Sequence, residues 1–371
     1  MRVIVAMSGG VDSSVAAARL VQAGHDVVGV TLRLGDHGAA NPVAPRLPGP
    51  EMEAEVAASL LGIAHHVIDF REEFDRIIVS PFVDAYLAGF TPSPCVVCNR
   101  RIKLAALERV RRRLGADAVA TGHYARLQNI AGRPRLLRAR DLGKDQSYFL
   151  HALAPEGRAR LLLPLGDLTK SEVRADARRL GLPSAERAES QELCFVPDGR
   201  YVALVEARGR DRIRPGPLVD ASGREVGRHR GIHAFTLGQR RQLGVALGSP
   251  VYVTGIEPES GCGRLGSRDQ LASSGALLEE VVLDDDVELP LECEVVVRYR
   301  AEAVPARAVA GAVGSLLIHF SRPVAVVAPG QYAVLYLGER VLGGGRIRAS
   351  LRGAEAPGQP GERREPVPER Q

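Results

Sequence analysis

Lysine is nearly missing from this chain. Of 49 basic residues only Lys103, Lys144 and Lys170 are lysine, and the rest are arginine. A bias that strong marks the surviving lysines as places where a compact point charge serves better than arginine's planar fork. Long apolar runs are missing too, none approaching the ~18 residues of a membrane span. The chain enters a strand at its first residues, which reads as no signal or transit peptide. The five cysteines are irregularly spaced and form no disulfide framework in 371 residues. That usage points to a reducing cytoplasm, where paired cysteines serve chemistry. No internal repeat is evident. The net charge of +5 and pI near 9.1 suit a polyanionic partner.

What is present is organised around Ser8-Gly9-Gly10-Val11-Asp12-Ser13-Ser14. A short β-branched run, Val3 to Met7, precedes it, and a helix-forming run from Val15 to Val21 follows. Strand, glycine turn and helix N-terminus make an anion cradle, with amides pointing outward and the macrodipole favouring negative charge. Ser8, Ser13 and Ser14 are expected to add hydroxyl donors. The Walker loop requires a lysine that is absent here, and the dinucleotide fingerprint separates glycines that are adjacent here. The stretch resembles the PP-loop of ATP pyrophosphatases, which adenylate a substrate and release pyrophosphate.

Further strands are expected at Asp26–Leu32, His65–Phe70 and Asp117–Tyr124. Helices are expected over Glu51–Leu61, with Met52, Val56 and Leu60 as the apolar stripe, over residues 72–89, and over Arg101–Leu114. The adjacent His65 and His66 would point to opposite faces of a strand, which argues against a metal pair. Residues 35–50 read as loop. This alternation predicts an α/β fold with a doubly wound parallel sheet, PP-loop or HUP-like, with ligands at the carboxyl ends of the strands. After about residue 195 the pattern changes. Residues 200–275 are rich in glycine, arginine and turn signals, and β-rich runs at 279–283, 294–299, 315–320 and 332–337 predict a small antiparallel barrel. The expected division is 1–197 catalytic, 198–276 central, 277–350 C-terminal barrel and 351–371 disordered tail.

Cys95-Val96-Val97-Cys98 follows the loop Thr91-Pro92-Ser93-Pro94 and precedes a helix. A second C-x-x-C is absent, so no complete structural zinc site is indicated. A helix N-terminus lowers thiol pKa, and redox chemistry is open to the pair. Cys194 lies far away in sequence but inside the first domain. Cys262 and Cys293, without a motif, read as buried inert thiols.

These segments together resemble the bacterial tRNA-specific 2-thiouridylases. The likeness is carried by the PP-loop, Thr91 to Asn99 with Ile102-Lys103, Ala120 to Ala125, Lys144 to Leu150 and Leu168 to Arg174. It continues through Ser190-Gln191 with Cys194-Phe195, Gly231 to Arg241, Arg298-Tyr299 and Pro329 to Gln331. The resemblance implies ATP binding by Ala6, Met7, Ser8, Gly9, Gly10, Val11, Asp12, Ser13, Leu32, Gly122 and Lys144, with Mg2+. It implies tRNA contacts by Ser93, Pro94, Cys95, His123, Lys144, Asp145, Gln146, Arg298, Tyr299 and Gln331. Arg228-His229-Arg230 and Gln239-Arg240-Arg241 would add phosphate contacts.

The implied chemistry is ATP-dependent 2-thiolation of the wobble uridine in tRNAs for Glu, Gln and Lys. Cys194 would carry a persulfide supplied by a cysteine desulfurase or relay protein, and Cys98 would be the nucleophile, leaving a Cys98–Cys194 disulfide. Ser93-Pro94-Cys95 stands where many members carry Asn-Pro-Asp. Three thiols, Cys95, Cys98 and Cys194, therefore raise an iron–sulfur cluster as an alternative carrier. Another PP-loop ligase and a non-catalytic nucleotide- or RNA-binding protein are the competing readings.

Overall fold

The computed structural model describes residues 1–35, 49–186, 193–196, 199–245 and 248–352. The expected loop over 35–50, the Ser190-Gln191 motif and the tail lie wholly or mostly outside these residues. The first unit alternates β1 (Arg2–Ala6), α1 (Val11–Gln22), β2 (Asp26–Arg33), α2 (Pro50–Leu60) and β3 (Ala64–Asp69). A run of helical turns follows: α3 (Arg71–Phe74), a π-turn, α4 (Ser80–Leu87), α5 (Pro94–Cys98), a second π-turn (Asn99–Lys103) and α6 (Leu104–Arg113). Next come β4 (Ala118–Ala120), the hairpin β5 (Arg126–Ile130) and β6 (Arg133–Leu137), then α7 (Ser147–Leu150), α8 (Pro155–Arg158), β7 (Leu161–Leu162) and α9 (Lys170–Arg179).

The sheet is parallel, in the order β3-β2-β1-β4-β7. Its faces carry separate cores. Val3 and Val5 pack with Val15 and Ala16 of α1, while Ile4 packs with Leu107 and Val110 of α6. Helices therefore cover both faces, and a crevice opens between β1 and β4 where the winding reverses.

One expected stripe is wrong. In α2, Met52, Val56 and Leu60 are 56%, 42% and 58% exposed. Ala54, Ala57 and Ala58 face the sheet instead. Small side chains let the helix lie close on the strands, and that close approach outweighs the larger apolar area of the other face.

The central region is more regular than its composition suggests. It holds α10 (Tyr201–Gly209) and four strands, β8 (Gly216–Val219), β9 (Glu225–His229), β10 (Tyr252–Glu257) and β11 (Cys262–Gly266), in the order β10-β11-β8-β9. The last unit is an antiparallel barrel of β12 (Ala272–Leu283), β13 (Leu291–Val296), β14 (Val304–Ala310), β15 (Leu316–Ala325), β16 (Tyr332–Leu337) and β17 (Arg340–Leu351). Pairing runs β12-β15-β14-β13-β16-β17 and closes through β17 on β12. The β5–β6 hairpin joins this sheet at Arg340↔Leu137, tying the catalytic unit to the barrel. Tyr332, Val334 and Tyr336 extend the core beneath α6. No helix among the described residues is long and apolar enough to cross a membrane.

Candidate active site

β1 ends at Ala6, and Met7 to Gly10 turn the chain into α1. Gly9 has φ +74°, and a Cβ there would lie 2.6 Å from the Pro50 carbonyl oxygen, so the position favours glycine twice over. Ser13 Oγ closes the turn, accepting from Ser8 N at 3.1 Å and donating to Gly10 O at 3.0 Å. Ser14 departs from expectation. It is fully buried and donates to Gly10 O at 3.1 Å, so its hydroxyl serves the loop and not a ligand. Gly10, the N-cap of α1, makes no side-chain cap bond, which leaves the first amides without a capping side chain. From β4, Gly122 presses on this loop: a Cβ would sit 2.8 Å from Asp12 C and Ser13 N.

Two further side chains converge on Asp12. A capping box of Thr169 and Glu172 starts α9 at Lys170. Lys170 Nζ then donates to both Asp12 oxygens, at 2.7 and 2.9 Å. The Tyr124 hydroxyl donates to Asp12 Oδ1 at 2.8 Å. Sequence reasoning placed Lys170 and Tyr124 inside motifs without giving them a role. The rarity of lysine was the available signal for the first.

A cavity of about 920 Å³ opens over the loop. Ser8, Gly10, Val11 and Asp12 line it from the loop, Ser93, Pro94 and Cys95 from the start of α5, and Lys144 and Gln146 from the segment before α7. Cys194 lines it too, as do Lys170 and, from the segment after β13, Tyr299 and Arg300. Arg300 was not singled out in the sequence, although it follows Arg298-Tyr299 directly. The other expected nucleotide residues, Ala6, Met7, Gly9, Ser13, Leu32 and Gly122, are not among the residues that line it.

Cys98 is buried, Cys95 partly buried and Cys194 exposed, and all three are free thiols. Burial raises each thiol, while the nearby Lys103 ammonium works the other way. For Cys98 the balance lies at about 11. The Cys194 segment is held by aromatic contacts: Phe195 meets Phe74 and Phe82 edge-on, with ring centroids 5.7 and 5.1 Å apart. Among the described residues, no group of three or more His, Cys, Asp or Glu is placed to hold a metal. The three cysteines therefore do not fit a cluster site as they stand.

Several expected RNA-contact residues spend their polar atoms internally. Gln331 Nε2 donates to Thr91 O and Pro92 O at 2.9 and 3.2 Å, clamping the proline loop to the barrel. The Asp145 carboxylate accepts from Ala139 N at 2.9 Å and Ser147 Oγ at 2.8 Å. Gln146 lines the cavity while its Oε1 accepts from Tyr124 N at 3.0 Å. His123 Nδ1 pairs with Thr121 Oγ1 at 2.8 Å, and burial followed by Lys103 pushes it down to about 3, so the ring is neutral. In the central unit His229 is buried against Gly261 O at 2.9 Å, while Arg230, Arg240 and Arg241 stay exposed. Arg228 pairs with Glu225 at 3.1 Å. Arg298 is exposed.

Three family models match the chain in order. A tRNA methyl transferase HUP domain covers residues 1–198, a tRNA methyl transferase PRC-barrel domain 206–262, and an aminomethyltransferase beta-barrel domain 278–347. The tRNA-specific 2-thiouridylase MnmA of Sorangium cellulosum is 53% identical over 362 residues, which is 96% of this chain and 94% of that protein. The protein of the same name from Roseiflexus sp. is 46% identical over 369 residues, covering 93% and 99%. That from Moorella thermoacetica is 43% identical over 358 residues, again covering 93% and 99%. With a parallel sheet, an ATP pyrophosphatase loop and thiols on one cavity, the chain belongs to the tRNA-specific 2-thiouridylase family.

Proposed function

We propose that this protein uses ATP to replace the 2-oxygen of the wobble uridine with sulfur in tRNAs for glutamate, glutamine and lysine. One observation carries the reading: the phosphate loop and Cys194 line the same cavity. A base held there can be activated and thiolated without leaving. The division into a catalytic unit over 1–197, a central unit over 198–276 and a barrel over 277–350 assigns the chemistry to the first. RNA binding falls to all three, through Ser93, Pro94 and Cys95 of the first, the exposed arginines of the central unit, and Arg298, Tyr299 and Arg300 of the barrel.

In the first stage the uridine C2 oxygen attacks the α-phosphorus of ATP and pyrophosphate leaves, so that AMP becomes the later leaving group. The loop amides, Lys144 and Lys170 are the groups placed to hold the phosphates. Asp12 is the carboxylate lining the cavity, a donor set too small to cage Mg2+. The ion would enter on the nucleotide's own oxygens and offset charge there. In the second stage the terminal sulfur of a Cys194 persulfide attacks C2 and displaces AMP. The Cys98 thiolate then attacks the Cys194 sulfur, which breaks the S–S bond and leaves sulfur on the base and a Cys98–Cys194 disulfide. Two electrons from an external thiol restore the pair. A cysteine desulfurase or relay protein supplies the persulfide sulfur, which places the enzyme in the reducing cytoplasm.

Thiols on the cavity favour sulfur transfer over the methyl transfer in the domain descriptions. Incubation with ATP, Mg2+, tRNA and a desulfurase should give tRNA retarded on a mercury gel. A wild-type protein that yields no retarded band, or Cys194→Ser with an undiminished one, contradicts the proposal.

A further inference from the structure

We infer that Lys103 is the charge partner of the sulfur site: one ammonium, set beside Cys98 by the π-turn, that holds whichever of Cys95, Cys98 and Cys194 is ionised. The inference rests on the sulfur-transfer reading and adds a positioning residue to it. The backbone supplies the first argument. α5 ends at Cys98, and the next five residues, Asn99–Lys103, form a π-turn. In a regular α-helix a residue five positions on lies about 140° round the axis. A π-turn closes i to i+5, bringing Lys103 over Cys98. Cys95, three residues before Cys98, shares that side of the helix. A π-bulge is an uncommon departure in a helix, and here it falls immediately after the nucleophile.

The second argument is what surrounds the ammonium. Half-buried Lys103 has no carboxylate partner among the described residues, whereas nearby Arg109 and Arg111 pair with Glu73 and Glu108. The ionisable groups facing it are Cys98 and Cys95 from its own helix, Cys194 from the 193–196 segment, and His123 from the end of β4. Burial opposes its charge, and the Cys98, Cys194 and Cys95 thiolates more than restore it, Cys98 most strongly. His123 is neutral, so the positive charge is not shared. In a chain that otherwise uses arginine, a compact cation was kept here.

One cation among three thiols limits the site to one sulfur anion at a time, because a second would face the first across a poorly solvated gap. Cys98 gives its proton to water while Lys103 keeps its own. The charge then passes to the sulfur that Cys98 displaces.

Rates of iodoacetamide labelling of the full chain, read by peptide mass spectrometry between pH 6 and 9, test this without tRNA or sulfur donor. Lys103→Met should slow labelling of Cys98 and exposed Cys194 about tenfold at pH 8, the fold-change that one pH unit of weaker acidity gives. Lys103→Arg keeps the charge but not its compact shape and should restore only part of the wild-type profile, and Cys293, remote in the barrel, should not change. Retained ATP binding shows that a variant is folded, and Lys103→Gln substitutes if the methionine variant is not. Labelling rates within twofold of wild type at pH 8 in the neutral variant overturn the inference. Slowed labelling in a protein that cannot thiolate tRNA keeps Lys103 as the thiol partner and rejects the proposed reaction.

Discussion

Asp12 shows how much one loop residue is made to do. Its carboxylate takes both bonds from Lys170 and one from Tyr124, so the phosphate loop is fixed from α9 and from the end of β4 at once. Gly122 completes that grip by contact with the backbone of residues 12 and 13. Gly122→Ala forces a Cβ into backbone that cannot give, and the loop must shift. We expect ATP affinity measured by calorimetry to fall about tenfold or more, equivalent to ~1.4 kcal/mol, with the circular dichroism spectrum unchanged. Unaltered ATP affinity would show that Gly122 does not set the loop. The glycine, hydroxyl and cysteine positions of the site are legible in the sequence because they sit in short local patterns. Lys170 and Tyr124 acquire their role only when residues more than a hundred positions from Asp12 are brought to it.

At the scale of elements, the sulfur-carrying segment is held by its neighbour. Phe195 sits between Phe74 and Phe82, and the Tyr86–Tyr201 stack, centroids 4.4 Å apart, backs the same wall. Edge-on aromatic pairs contribute about 0.5–1.5 kcal/mol each beyond area burial. That is enough to fix a short segment but little enough to lose with one ring. Phe195→Ala should cut the thiolation rate at least about tenfold, leave the KM for ATP unchanged, and be largely rescued by Phe195→Tyr. A rate within twofold of wild type would remove Phe195 from the account. Element identities were read well where periodicity was strong, as in β1, β2 and the run from 71 to 87. The α2 stripe differs from the expectation because Ala54, Ala57 and Ala58 also share one helix face, at i, i+3 and i+4, beside the i, i+4, i+8 set of Met52, Val56 and Leu60. Hydrophobicity alone prefers the larger set, and the close helix–sheet approach decides for the smaller. Gln331 shows the opposite case, a motif residue whose polar atoms bind the proline loop.

Across the whole molecule, the barrel is joined to the catalytic unit by buried charge. Asp284, after β12, has a side chain with 0% exposure and receives Arg158 of α8 at 2.5 Å. Arg135 of β6 and Arg340 of β17 reach its other oxygen, each at 3.1 Å. Asp285 and Asp286 take further bonds from Arg135, at 3.0 and 2.9 Å. Removing one partner of such a set strands buried guanidinium groups. Asp284→Ala should therefore destabilise the fold by about 3–5 kcal/mol in denaturant unfolding, and a loss below about 1 kcal/mol would contradict a structural role for the cluster. None of this could be read from the sequence. Asp284 is 126 residues from Arg158, and the hairpin β5–β6, β14 and β17 owe their place to partners remote along the chain. The arrangement puts Tyr299 and Arg300 on the cavity that holds the phosphate loop and Cys194.

That shared cavity is the central claim, and single-turnover transfer of sulfur tests it most directly. The enzyme is loaded at Cys194 with radiolabelled persulfide sulfur, freed of donor, and mixed with tRNA with or without ATP and Mg2+. Label should move to free tRNA only when ATP is present, stay trapped in a covalent protein–tRNA adduct in Cys98→Ser, and fail to load in Cys194→Ser. Transfer without ATP, or transfer by the Cys194→Ser protein, would contradict a single site in which activation of the base and delivery of sulfur are coupled.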